Sequence, residues 1–193
     1  MEIKVITYNI DGLPETLDLN DLPWLFKPIA WVYKLFKGTT VIKINDNANK
    51  DSQMSKLAEK LTKEDADIIG VQEDFNYHDK LVQALPTYNM GTYSGGFDLS
   101  KAFSSIDWFP YPRFKADGLN IFSKHPISNE DIQHWDASYG YLTHANDKLT
   151  KKGFRAYQTQ VNGVDIDVYI LHMDADFYNP ETCPDVSKDV EAR

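Results

Sequence analysis

Residues 153–172 read GFRAYQTQVNGVDIDVYILH. Two alternating runs flank Asn162-Gly163. A type I′ turn needs positive φ at both central positions, and Asn-Gly adopts it at little steric cost. The stretch therefore predicts an antiparallel hairpin. On its second strand Val164, Ile166, Val168 and Ile170 share one face. Asp165, Asp167 and Tyr169 share the other, with Leu171 closing it toward the core. An antiparallel hairpin argues against an all-parallel doubly wound sheet. Helices covering packed, mixed sheets are the expected architecture.

The rest of the chain supplies those elements. Residues 3–9, IKVITYN, are apolar on both faces and predict a buried strand. Residues 49–62 place Met54, Leu57, Ala58 and Leu61 at helical spacing, with Lys56, Glu59 and Lys60 on the other side. Residues 67–72 predict a second buried strand. Leu81, Val82 and Leu85 then form a short helical face stopped by Pro86. The stretch 91–116, rich in Gly, Ser, Pro and aromatics, is expected to be a long surface loop. Residues 117–127 predict a strand ending near Pro126. No internal repeat or low-complexity tract is evident, and one domain is expected over 1–193.

Composition narrows the function classes. The 193 residues are 42% hydrophobic and 25% charged, ordinary for a globular domain. The net charge of −9 argues against a nucleic-acid binder that works through a broad basic surface, so strong non-specific nucleic-acid binding is not expected. A phosphate-processing enzyme stays open, because a bound divalent cation reverses the local field. The lone Cys183 leaves no internal disulfide. The start, MEIKVITYNI, alternates like a strand and lacks the long apolar region of a signal peptide. The compartment stays open.

Three predicted strands end in polar groups: Asn9, Glu73 and His172. If those ends share one rim, a carboxylate and an amide oxygen beside an imidazole suit a hard cation and a phosphate. Each residue alone also has a plainer meaning. Asn9 before Asp11-Gly12 reads as a turn signal, Glu73 as a solvated strand end, and His172 as a structural histidine.

VITYNIDGLP (5–14), DIIGVQEDFNYH (67–78), DGLNIFSKHPI (117–127), KGFRAYQTQVNG (152–163) and YILHMDAD (169–176) follow one another in the chain. In that order they resemble the endonuclease/exonuclease/phosphatase superfamily. It includes DNase I-like nucleases, apurinic-site endonucleases, inositol polyphosphate 5-phosphatases and bacterial neutral sphingomyelinases. TYNIDGLP and QEDFNYH are most similar to a microbial branch near the sphingomyelinase-like members.

The resemblance implies an α/β fold, a DNase I-like four-layer α/β/β/α sandwich with the site at the top of its two sheets. It implies a phosphoester hydrolase that uses Mg²⁺ or Mn²⁺. Glu73 matches the metal-binding glutamate, Asn9 the asparagine that supports metal and phosphate, and His172 the histidine on the scissile phosphate. Asp117 matches an acid that orients this histidine, and Asn120 is expected in the same cleft. Tyr77 and His78 belong to the branch motif, with a structural role.

The family's Gly-Asp-x-Asn motif and closing Asp-His pair do not occur in this sequence. Asp174, Asp176, Asp185 and Asp189 sit in no such motif. The expectation is an N-terminal portion, an incomplete sandwich, and a chain inactive by itself, monomeric when complete. A nuclease and a non-catalytic module that kept the fold are the alternatives. Residues 15–48 are expected to form an aromatic-rich insert. Within it, LPWLFKPIAWVYKLF (22–36) mixes Trp24, Phe26, Trp31, Tyr33 and Phe36 with lysines, which suits either a membrane surface or an aromatic cap on the domain.

Overall fold

Asn162 and Gly163 both have positive φ, 51° and 80°. They join β10 (Gly153–Val161) to β11 (Val164–His172), paired from Val161↔Val164 out to Gly153↔His172. The computed structural model describes residues 2–43, 49–108, 113–136 and 149–173. Cys183 and the late aspartates Asp174, Asp176, Asp185 and Asp189 lie outside them.

A third strand, β9 (Ile127–His134), pairs with β10, giving a three-stranded sheet of order β11-β10-β9 among the described residues. The second sheet has the order β1-β4-β8-β5, built from β1 (Val5–Asn9), β4 (Ile68–Gln72), β8 (Asn120–Ser123) and β5 (Asn89–Met90). β1 and β4 are parallel, which requires a crossover. Helix α2 (Lys50–Glu64) supplies it, and its periodic face of Met54, Ala58 and Leu61 is buried as expected.

The sheet's two faces sort the core. Ile69, Val71 and Phe122 pack against α2 and against α3 (His78–Ala84), whose Leu81 is fully buried. Ile68 and Ile121 face the other way, onto Tyr157 and Ile170 of the three-stranded sheet. The sheets come close at Gly70, where an added Cβ would sit 3.2 Å from the Ile170 side chain. Three layers, α/β/β, are thus present. The fourth, helical layer is not found among the described residues, where each helix packs elsewhere.

Four expectations need correction. β1 is not buried: Val5 is 60% exposed, because among the described residues β1 lies at the end of its sheet's strand order. Leu171 does not close toward the core but is 48% exposed, on the outward face with Tyr169. The stretch 91–116 is not simply a surface loop. It holds helix α4 (Ala102–Ser105) and the small pair β6 (Ile106–Asp107) and β7 (Arg113–Phe114), and it buries Phe97, Ile106, Phe114 and Ala116. The predicted strand 117–127 begins only at Asn120 and ends at Ser123, with β9 a separate strand.

Between β1 and α2 the chain makes an excursion: β2 (Thr16–Asp18), helix α1 (Lys27–Lys37) and β3 (Val41–Lys43), with β2 and β3 antiparallel. Pro28 sits in the first turn of α1, and Gly38 closes it in the left-handed conformation. The excursion packs Leu19, Leu22 and Ala30 against Phe75, Phe97, Ile106 and Phe114.

Candidate functional site

Asn9 and Glu73 leave neighbouring parallel strands. The register Asn9↔Gln72 puts Glu73 one residue beyond, and Asn9 Nδ2 donates to Glu73 Oε1 at 2.9 Å. His172 ends β11 in the facing sheet, with its Nε2 3.5 Å from the same Oε1. The contact between Ile170 and Gly70 explains the meeting, since these residues lie two before His172 and three before Glu73. Three strand ends thus converge on one carboxylate oxygen.

The backbone at this rim is held in an uncommon shape. Glu73 (φ 59°) and Asp11 (φ 49°) are both left-handed without being glycine. Such residues cost of order 1–3 kcal/mol each and persist where the surroundings over-determine them. Here Asn9 Oδ1 accepts from Asp11 N at 2.8 Å, and Glu73 O accepts from Gly12 N at 3.1 Å. A Cβ on Gly12 would lie 2.2 Å from that carbonyl oxygen. Gly12→Ala is therefore expected to destabilise the protein by about 1–3 kcal/mol and to weaken divalent-cation binding by displacing Glu73. Chemical denaturation and a Mn²⁺ titration check this; an unchanged variant in both would refute the clamp.

Two lysines set the charge balance. Burial pushes the Glu73 carboxyl up, the Asn9 hydrogen bond opposes the rise, Asp11 adds to it, and Lys152 and Lys50 pull it back. Lys50 Nζ lies 2.5 Å from Asp11 Oδ2, with its side chain only 5% exposed. Lys152 donates to the Met173 carbonyl at 3.2 Å. Burial, with the charge of Lys152, holds His172 down at about 3. The imidazole is therefore neutral at ordinary pH, and its approach to Glu73 is a polar contact rather than an ion pair. His172 Nδ1 is buried without a hydrogen-bond partner among the described residues.

Asp117 and Asn120 belong to other networks. Arg155 grips both oxygens of Asp117, Nε at 2.7 Å and NH2 at 3.0 Å. Arg155 also donates to Glu130 Oε1 at 2.8 Å and to the Thr92 carbonyl. Asp117 thus anchors an arginine between the sheets, and among the described residues His172 Nδ1 has no acid to orient it. Asn120 is fully buried and donates to Asp74 Oδ2 at 3.3 Å. The same oxygen lies 2.6 Å from His78 Nδ1, and the His78 ring stacks on Tyr93 at 4.0 Å. Asn120 and His78 are therefore tied together beneath the rim, and Tyr77 packs against the helical core.

Asp11, Lys50 and Lys152 were not singled out in the sequence. Lys152 was reachable by counting outward from Asn162-Gly163, because Gly153 pairs with His172. Nothing local marks Lys50, which meets Asp11 across 39 positions.

The model of the Endonuclease/Exonuclease/phosphatase family matches residues 6–179. The chain belongs to that family. Among solved structures, it is similar to sphingomyelinase C from Streptomyces griseocarneus, at 15% identity and a TM-score of 0.61, over 98% of this chain and 54% of that one. A β-hairpin deletion mutant of beta toxin from Staphylococcus aureus matches at 14% identity and a TM-score of 0.56, over 99% and 56%. A further variant of that toxin, with bound magnesium ions, matches at 16% identity and a TM-score of 0.55, over 95% and 52%. These likenesses show the family's DNase I-like fold. The chain spans slightly more than half the length of these solved chains. No curated protein matches it.

Proposed function

We propose that this protein is a divalent-cation-dependent phosphodiester hydrolase of the sphingomyelinase-like kind. The observation that carries the reading is the convergence of Asn9, Glu73 and His172 on one carboxylate oxygen where the two sheets meet. Family membership supports it, as does the fold shared with a sphingomyelinase. The acidic surface, net charge −9, favours a lipid or small phosphodiester over a nucleic acid.

The residues present fit a hard cation. No cluster of three or more His, Cys, Asp or Glu suited to a metal occurs among the described residues. A single desolvated carboxylate beside an amide, with Asp11 raising its proton affinity, instead suits an ion that keeps most of its water. Glu73, supported by Asn9, would hold Mg²⁺ or Mn²⁺, and the bound ion would supply charge neutralisation on a phosphoryl oxygen. The neutral His172, with its proton on Nε2, donates to a phosphoryl oxygen as negative charge builds there. Lys152, whose charge is felt at both Glu73 and His172, favours an anion at the same place. Asp11 and Lys50 hold the turn that carries Asn9.

Titration of Mn²⁺ by calorimetry into wild type and Glu73→Gln tests the reading. Glu73→Gln is expected to lose affinity by about 10–100-fold or more, at least what loss of an outer-shell partner costs. Equal binding by both folded proteins would remove Glu73 from the role.

A further inference from the structure

Helix α1 has two apolar sides. Phe26, Ala30 and Tyr33 face the protein and join the cluster around Leu19, Phe75 and Phe97. At about 100° per residue, Trp31, Leu35, Val32, Phe36 and Ile29 fan over about 160° of the remaining surface, with Lys27 and Lys34 along one flank. That fan faces solvent: Trp31 is 64% exposed, Phe36 83%, and Trp24, just ahead of the helix, 80%. An apolar hollow of about 450 Å³ lies along it, lined by Pro28, Ile29, Val32, Tyr33, Phe36 and the stem of Lys37. A contiguous exposed patch of this kind marks an interaction surface.

Its chemistry selects the partner. Residues 22–43 hold Lys27, Lys34, Lys37 and Lys43 and no Asp or Glu, in a chain whose net charge is −9. A stretch of net positive charge therefore coincides with the most exposed apolar surface. Tryptophans at the margin and lysines on the flank match the apolar–polar boundary of a lipid headgroup layer. The helix spans about 16 Å, and no helix among the described residues is long and apolar enough to cross a membrane. An orientation in the plane of the surface remains.

We propose that α1 is a docking helix that lies in the interface of a bilayer containing anionic phospholipid. The surface is tied to the rim of the candidate site. Phe75 of the α1 cluster comes two residues after Glu73, and the Lys50–Asp11 pair closes the base of the excursion. The inference does not rest on the phosphodiester reading, because docking is measured without metal and without turnover.

The 193-residue chain is co-sedimented with vesicles of phosphatidylcholine alone and of phosphatidylcholine mixed with phosphatidylserine. Wild type is expected to bind the anionic vesicles, with a blue shift of tryptophan fluorescence. Trp31→Ser/Phe36→Ser, both at exposed positions, is expected to lower binding by at least about tenfold, since two apolar side chains no longer enter the interface. Lys34→Gln/Lys37→Gln is expected to lower binding to anionic vesicles by about tenfold and to leave phosphatidylcholine binding unchanged. Wild type remaining in the supernatant with both vesicle types would overturn the proposal, as would equal binding by Trp31→Ser/Phe36→Ser. A dimer that this double variant returns to monomer, without vesicle binding, would instead make a second copy of the chain the occupant.

Discussion

Arg155→Met is expected to destabilise the protein by about 3–5 kcal/mol, a fifth or more of the roughly 5–15 kcal/mol that holds an ordinary domain together. Arg155 is 1% exposed and Asp117 equally buried, and the arginine grips both carboxylate oxygens. Methionine fills much of the volume but removes the guanidinium from Asp117, leaving beside it His134 Nε2 at 3.9 Å, an imidazole that burial pushes toward its neutral form. Glu130 is partly exposed and recovers water more easily. The cause is separable from lost packing. Arg155→Met/Asp117→Asn removes the stranded charge while keeping an oxygen to accept the Leu119 N–H, now bonded to Asp117 Oδ1 at 3.0 Å. The double variant should recover a large part of the loss in urea unfolding. A single variant within about 1 kcal/mol of wild type, the scale of a surface pair, would show that the ion pair contributes little.

The second large effect concerns His172. His172→Ala is expected to lower phosphodiester turnover by about 10²–10³-fold, the range found when one donor to developing charge is removed. Mn²⁺ binding should persist, because Asn9 still donates to Glu73 Oε1 without the imidazole. Bis-p-nitrophenyl phosphate, assayed alongside a cation titration, separates the two readouts. Loss of cation binding in step with turnover would make His172 a support for Glu73 rather than a partner of the phosphate. Unchanged turnover would remove it from the site.

The elements that could be read in the sequence are those with local causes. Asn-Gly specifies a turn by itself, and the register of β10 with β11 follows by counting. α2 announces itself through Met54, Ala58 and Leu61. β1 could not be placed the same way. Ile3, Val5 and Ile6 look like a core strand, but whether a strand lies at the end of a sheet is decided by its neighbours. The stretch 91–116 failed for another reason. Strands of two residues carry no periodicity, so Phe97, Ile106 and Phe114 gave no sign that they pack together.

The site divides along similar lines. Asn9, Glu73 and His172 stood out because each ends an apolar run, and the structure brings them together. Asp117 looked like part of that group only until its partner was visible, and Arg155 lies 38 positions away. A buried ion pair between distant residues leaves no mark on the local pattern of either one.

The pair formed by Asp11 and Lys50 has a consequence of its own. It joins the two ends of the excursion, 39 positions apart, at a single point beside the strand that carries Asn9. The entropy of closing a flexible segment grows only logarithmically with its length, about 0.6 kcal/mol per doubling. A change of length between these residues therefore adds little closure cost of its own, while the packing of Leu19, Leu22 and Ala30 on Phe75 limits how the segment can change without disturbing the rim. The proposed docking helix and the proposed cation site thus meet at the Asp11–Lys50 pair and at Phe75, and each can be altered by substitutions away from those two contacts.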